Sequence, residues 1–146
     1  MQTRRWVNPS QPQLLQLAVW LSYFWAGAIL LFGLDYEYAA FPGSSLSATG
    51  AVSNALLRLG LPVAIAGSAW LMANDRKSGW TLGVILAGLP LVLRLMLGFG
   101  LSFGVNVGGN HINPLTHDTI GLMFDAARFG LLVHTQTRNY TRIWFH

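Results

Sequence analysis

The sequence predicts an all-α integral membrane protein, a bundle of four transmembrane helices with both termini in the cytoplasm. Three observations support this fold class. Only 10% of the 146 residues are charged and 53% are hydrophobic, whereas soluble domains carry about 25% charged residues. Long apolar segments recur along the chain. The lysines and arginines near their ends are confined to alternate connections, as a topology with several membrane crossings requires.

The apolar segments are predicted to form a single membrane domain that covers residues 1–146. A helix rises ~1.5 Å per residue, so about 20 apolar residues cross a hydrocarbon core of ~30 Å. Four segments approach or exceed this length, at about 14–34, 51–72, 80–101 and 115–133.

The first segment also has some features of a cleavable secretory signal. Arg4 and Arg5 precede an apolar run that reaches the small residues Ala26 and Ala28. The apolar run then continues as far as Phe32 instead of stopping. A retained first helix is therefore the favoured interpretation.

The positions of the basic residues predict the orientation of the chain in the membrane. Connections 35–50 and 102–114 contain no lysine or arginine. The amino-terminal segment, the 73–79 connection and the carboxyl-terminal tail hold the basic residues Arg4, Arg5, Arg76, Lys77, Arg138 and Arg142. The positive-inside tendency then places both termini in the cytoplasm and the protein in the plasma (inner) membrane. The net charge of +4 reflects this topology, so nucleic acid is not an expected partner.

The chain contains no cysteine, which excludes disulfides, thiolate metal ligands and thiol catalysis. It also contains neither the zinc-protease motif His-Glu-x-x-His nor the phosphate-binding motif Gly-x-x-x-x-Gly-Lys. The sequence therefore favours a protein that is not an enzyme, and it identifies no cofactor.

Ionisable residues inside the predicted spans are the main candidates for a functional site, because charges are costly within a bilayer. These candidates are Arg58, Arg94, Asp118, Asp125 and Arg128. One interpretation is that they form buried ion pairs that fix helix register, such as Arg94 with Asp125 or the i,i+3 pair of Asp125 and Arg128. Other interpretations are a polar pocket for an anionic or polar ligand, and a proton relay through the two aspartates.

Three histidines are weaker candidates for metal or cofactor ligands. His111 and His117 lie near the outer end of the fourth segment, beside Asp118. Adjacent residues of a helix point in different directions, so His117 and Asp118 do not converge readily on one metal. His134 lies near the inner end, where it is either a ligand to haem or to a pigment magnesium, or an ordinary interface residue.

Small residues recur at helical spacing in two of the segments. The strips consist of Gly60, Ala64 and Ser68 in the second segment, and of Gly79, Gly83 and Ala87 in the third. Such strips allow close approach of a neighbouring helix in lipid. Each is interpreted either as packing within the bundle or as a surface for a partner.

The favoured function is a non-enzymatic subunit or accessory factor of a membrane complex. Its expected partners are the lipid bilayer and other membrane subunits, or a second copy of the chain. The small size and the absence of a soluble domain motivate this interpretation. One alternative is a small transporter or channel that uses the intramembrane arginines and aspartates. Another is a redox subunit that binds haem, a pigment or a quinone.

Overall fold

The computed structural model describes residues 5–32, 48–98, 106–107, 110–111 and 119–145. These residues form the helices α1 (Gln13–Phe32), α2 (Ala48–Ala73), α3 (Lys77–Gly98), α4 (Thr119–Val133) and α5 (Thr135–Trp144). A short antiparallel ladder joins β1 (Asn106–Val107) to β2 (Asn110–His111). The prediction of a helical protein is confirmed, with this ladder as a small addition.

Among the described residues, two helices are long and apolar enough to cross a membrane, over Gln13–Leu31 in α1 and Lys77–Met96 in α3. The apolar stretch found in α2, Leu59–Ala73, is shorter. The described residues of α4, Thr119–Val133, rise about 22 Å, less than the ~30 Å of a hydrocarbon core. The four-span bundle is therefore not confirmed, and the crossings by α2 and α4 remain predictions.

The four longer helices pack in cyclic order, with α1 against α2 and α4, and α3 against α2 and α4. Their central core is built from apolar side chains with almost no exposed surface. The larger ones are Leu15, Val19, Met72 and Leu132, and Phe145 closes the end of the core after α5. A second cluster of Ala26, Ile29 and Ile65 continues the α1–α2 contact towards the other end.

The small residues of α3 pack within the chain. A Cβ atom built on Gly79 would lie 2.6 Å from the Met72 amide nitrogen, and one built on Gly83 would lie 3.3 Å from Leu132 Cδ1. Ala87 is completely buried. For this strip, internal packing is the interpretation that the structure supports.

The turn between α2 and α3 is a Schellman-type helix end. The Arg76 amide donates to the Leu71 carbonyl at 3.0 Å, and the Asp75 amide donates to the Met72 carbonyl at 3.0 Å. Asp75 takes a φ of 55°, in the left-handed region that a helix end of this kind requires. Aspartate tolerates this region better than most residues with a side chain.

The Asp75 carboxylate also holds the segment that precedes α1. Asn8 Nδ2 donates to Asp75 Oδ2 at 3.0 Å, and Gln11 Nε2 donates to Asp75 Oδ1 at 2.7 Å. Asn74 Nδ2 donates to the Arg5 carbonyl at 2.8 Å. We call Asn8, Gln11, Asn74 and Asp75 the polar clasp. It joins the amino-terminal segment to the α2–α3 turn.

Helix α5 begins directly after a break at His134 and packs across the same end of the bundle. Thr137 and Thr141 face inwards and are buried, and Thr137 Oγ1 donates to the Leu131 carbonyl at 2.8 Å. Burial, and then the Asp75 carboxylate, raise the pKa of Tyr140 above its ordinary value, while a hydrogen bond with Ser10 opposes this rise. The sequence predicted no helix here, only a basic and aromatic tail.

Candidate functional site

The candidate site is a group of charged side chains buried between α1, α3 and α4. Arg128 is 0% exposed, Asp125 is 3% exposed and Arg94 is 4% exposed. Ser22 of α1 completes the group and is also fully buried. We call these four residues the buried charge cluster. It contains three of the five charged residues that the sequence proposed.

The helical repeat of α4 explains why two of these charges are buried. The buried residues of this helix are Gly121, Asp125, Arg128 and Leu132. Their spacing of three or four residues places them on one side of the helix. That side faces the other helices of the bundle, so Asp125 and Arg128 lie in its interior together with Leu132.

The guanidinium of Arg128 connects α4 to α1. Its Nη1 atom donates to Asp125 Oδ1 at 3.1 Å, which forms an i,i+3 ion pair within α4. Its Nε atom donates to Ser22 Oγ at 3.4 Å, near the upper limit for a hydrogen bond. The Ser22 hydroxyl in turn donates to the Ala18 carbonyl at 2.8 Å. The Asp125–Arg128 pair that the spacing suggested is therefore present.

Arg94 reaches this level from α3, which runs antiparallel to α4. Gly83 lies against Leu132, and further along α3 Gly88 lies against Phe129, where an added Cβ would be 2.9 Å from Cε2. The same antiparallel alignment of α3 and α4 places Arg94 at about the same height in the bundle as Asp125. Arg94 and Asp125 each have a further interaction. Direct pairing of these two side chains stays a prediction.

The guanidinium of Arg128 is buried with incomplete hydrogen bonding. Its Nη2 atom has no hydrogen-bond partner among the described residues. Ser22 lies about 14 Å along α1 from the first residue of the helix, close to the middle of its ~30 Å length. A charge at that depth is costly unless it is paired and hydrogen-bonded. The bond to Asp125 offsets part of this cost.

Aromatic rings cover the neighbouring part of the α1–α4 contact. Phe124 stacks on Trp25 with ring centroids 5.0 Å apart and planes 11° apart. Phe124 also stacks on Phe24, at 5.5 Å. These contacts add apolar stabilisation to the seam that contains the Arg128–Ser22 bond.

The remaining proposed residues are distributed as follows. Arg58 lies within α2, and His111 is the last residue of β2, opposite Asn106. His117 and Asp118 lie outside the described residues. None of these positions tests the proposed ligand or ion-pair roles, which stay predictions.

His134 has a structural role that the sequence analysis missed. Its Nδ1 atom accepts a hydrogen bond from the Gln136 amide at 3.3 Å, which caps the first turn of α5. The side chain is exposed. This cap engages one ring nitrogen, so a haem or pigment metal would have to bind Nε2. Ligation of a cofactor by His134 stays a prediction.

One catalytic-type motif occurs just after α3. The string Gly100-Leu101-Ser102-Phe103-Gly104 has the Gly-x-Ser-x-Gly spacing of a nucleophile elbow and lies outside the described residues. An elbow places its serine on a turn from a strand into a helix. Here the preceding element is a helix, which ends at Gly98.

Within the part of the chain that the structure describes, no group of three or more histidine, aspartate or glutamate side chains is placed to hold a metal ion.

Comparison with protein-family models, curated proteins and solved structures finds no match to this chain. The function of this chain is therefore inferred from its own sequence and structure.

Proposed function

We propose that this chain is a multi-pass protein of the plasma (inner) membrane that acts as a non-enzymatic subunit or accessory factor of a membrane complex. In this proposal α1 to α4 all cross the bilayer and both termini lie in the cytoplasm. The single observation that carries the subunit role is an uncovered face of small residues on α2.

The outward surfaces of the apolar helices support a membrane location. Within the apolar stretches that could cross a membrane, only 33% of the residues in α1 and 22% of those in α3 are buried inside the protein. Large apolar side chains are left outside, with Leu31 80% exposed and Trp20 58% exposed. A core helix of a water-soluble protein would bury most of such a surface, whereas a lipid-facing helix leaves it outside.

The distribution of exposed basic residues supports a cytoplasmic location for the end of the bundle that holds the polar clasp. Among the side chains that the structure describes, every exposed lysine or arginine lies at this end. These are Arg5, Arg76, Lys77, Arg138 and Arg142. Such an asymmetry is the structural form of the positive-inside pattern.

Single-cysteine labelling in intact cells tests this topology, because the chain has no native cysteine to remove. With four crossings, we expect an impermeant maleimide to label Asn110→Cys from outside and to label Ser78→Cys only after the cells are opened. If only α1 and α3 crossed, these two results would be exchanged. Labelling of Ser78→Cys in intact cells would therefore contradict the proposal.

The uncovered face of α2 consists of Gly60, Ala64 and Gly67, with Val63 beside them. Gly60 and Ala64 are exposed, and a Cβ added to Gly60 or Gly67 would meet no atom of the described residues within 4 Å. Val63 is 65% exposed. Without a hydrophobic drive in lipid, helices associate through close contacts at such small residues. The face therefore fits a transmembrane helix of another subunit.

Purification in a mild detergent tests the subunit role. We expect the wild-type chain to emerge with a stoichiometric membrane partner, and Gly60→Leu to weaken this association about 5- to 150-fold, since overpacking costs ~1–3 kcal/mol. Gly130→Leu is the matched control, because Gly130 is also helical and open but lies on α4. Recovery of the wild-type chain alone, or equal losses in both variants, would contradict the proposal.

A small transporter or channel is the second candidate, and the unpaired Nη2 atom of Arg128 favours it. A buried guanidinium with a spare donor can bind an anion that enters the bundle. For this function, we expect anion flux across the membranes of liposomes that contain only the purified chain. The subunit role does not require such flux, so this measurement separates the two candidates.

A further inference from the structure

Helix α5 presents two chemically different sides to its surroundings. Arg138 and Arg142 are four residues apart and therefore share one side, and both are exposed. Tyr140, Ile143 and Trp144 share another side by the same spacing. Ile143 is 71% exposed and Trp144 is 60% exposed. A short helix with a basic side and an aromatic, apolar side is typical of one that lies in a membrane interface.

The inward side of α5 fixes the helix against the bundle. Thr137 and Thr141 are buried, and Phe145 packs on the core after the helix ends. The Tyr140 ring lies 6.3 Å from the Trp144 ring and 5.9 Å from the Phe145 ring. The two outward sides are therefore held in place before any ligand binds, which reduces the entropic cost of binding.

Other basic side chains surround α5 at the same end. Arg5, Arg76 and Lys77 are exposed there, and the nearby Asp75 carboxylate accepts hydrogen bonds from Asn8 and Gln11 within the polar clasp. The surface therefore has a net positive charge, and Trp144, which is 60% exposed, suits the headgroup level of a bilayer.

We propose that α5 and the basic side chains around it form a binding surface for anionic phospholipid. Ile143 and Trp144 enter the boundary between headgroups and acyl chains. Arg138 and Arg142, with Arg5, Arg76 and Lys77, bind the phosphates of the headgroups. This inference rests on the proposed topology, which places this end at the cytoplasmic leaflet, where anionic lipids attract basic segments.

A lipid titration in neutral detergent micelles tests the surface. An environment-sensitive fluorophore is attached to the full chain through Ile143→Cys, and phosphatidylglycerol or phosphatidylcholine is added. We expect phosphatidylglycerol to shift the emission to the blue at low mole fraction, and phosphatidylcholine to have little effect. The same label at Thr135→Cys, an exposed position three residues before Arg138 on the basic side of α5, is expected to shift much less.

The arginines are then replaced in pairs in the labelled chain. Each basic residue near an anionic surface contributes ~1 kcal/mol, so Arg138→Gln with Arg142→Gln is expected to weaken the phosphatidylglycerol midpoint about 30-fold. Arg138→Lys with Arg142→Lys keeps the charge and is expected to retain most of the affinity. Glutamine and lysine both favour helix, and circular dichroism checks that α5 persists.

An equal midpoint in the glutamine pair and in the unsubstituted chain would overturn the inference, and so would an equal response to phosphatidylcholine. The micelle titration does not depend on which way the chain crosses a bilayer. Its failure is therefore distinguishable from failure of the topology, which the maleimide labelling of cells reports.

Discussion

Arg128→Met is expected to lower the free energy of unfolding by about 3–5 kcal/mol, the usual cost of breaking a buried ion pair from one side. Methionine has a similar length and fits an apolar interior, so the loss comes from the charge. Without the guanidinium, the buried Asp125 carboxylate loses the hydrogen bond from Arg128, and the Ser22 hydroxyl loses the bond that joins α1 to α4. Unfolding in detergent micelles, followed by near-ultraviolet circular dichroism, measures the effect.

Two further variants identify the source of that loss. Adding Asp125→Asn to Arg128→Met removes the carboxylate that has lost its hydrogen bond from Arg128 and is expected to recover part of the stability, whereas independent sites would simply add their losses. Arg138→Met makes the same substitution at an exposed position and is expected to change little. A loss below about 1 kcal/mol for Arg128→Met would show that the cluster is solvated, contrary to its burial.

Gly79→Ala is expected to destabilise the chain by about 1–3 kcal/mol, although alanine is the better helix former. The added Cβ would lie 2.5 Å from Leu71 Cβ, 2.6 Å from the Met72 nitrogen and 2.8 Å from the Leu71 carbonyl carbon. Two of these atoms belong to the backbone of α2, so relief requires α2 and α3 to move apart. A larger substitution, Gly79→Val, is expected to cost more.

Gly60→Ala is the matched control for this prediction. Gly60 is also helical, but an added Cβ there meets no atom within 4 Å. Alanine is favoured over glycine inside a helix by ~0.5–1 kcal/mol, so the purified chain is expected to be as stable as the wild type or slightly more so. The two substitutions should therefore change the melting temperature in opposite directions. Equal effects would contradict the close approach at Gly79.

The sequence predicted the helices well where apolar composition decides them. The predicted segments at 14–34, 51–72 and 80–101 overlap α1, α2 and α3 closely. The last predicted segment covered α4 but not α5. Helix α5 is short and mostly polar, and its buried residues are the threonines Thr137 and Thr141. Long apolar runs carry a strong signal, whereas a helix stabilised by docking carries a weak one.

The candidate site was predicted in part for a similar reason. The i,i+3 spacing of Asp125 and Arg128 is a local property, so their ion pair could be expected from the sequence. Ser22 is distant in the chain, and a serine in an apolar span has many structural roles. Its bond to Arg128 depends on which sides of α1 and α4 meet, and this depends on the packing of the whole bundle.

The polar clasp was not predicted at all, since the amides of Asn8, Gln11 and Asn74 lie in irregular segments without periodicity. Their arrangement depends on the left-handed conformation of Asp75, which aims its carboxylate at the amino-terminal segment. Asparagine and aspartate in turns are common, and nothing in their order identifies a partner 67 residues away.

That long-range bond bears on how α1 and α2 can be inserted into a bilayer. Asn8 and Gln11 precede α1, and their acceptor is made only after α2 has followed. If α1 crossed the bilayer and α2 did not, the two amides would lie on the opposite side of it from Asp75. These bonds can form only when both helices cross or neither does, so the clasp links the insertion of α2 to that of the helix made before it.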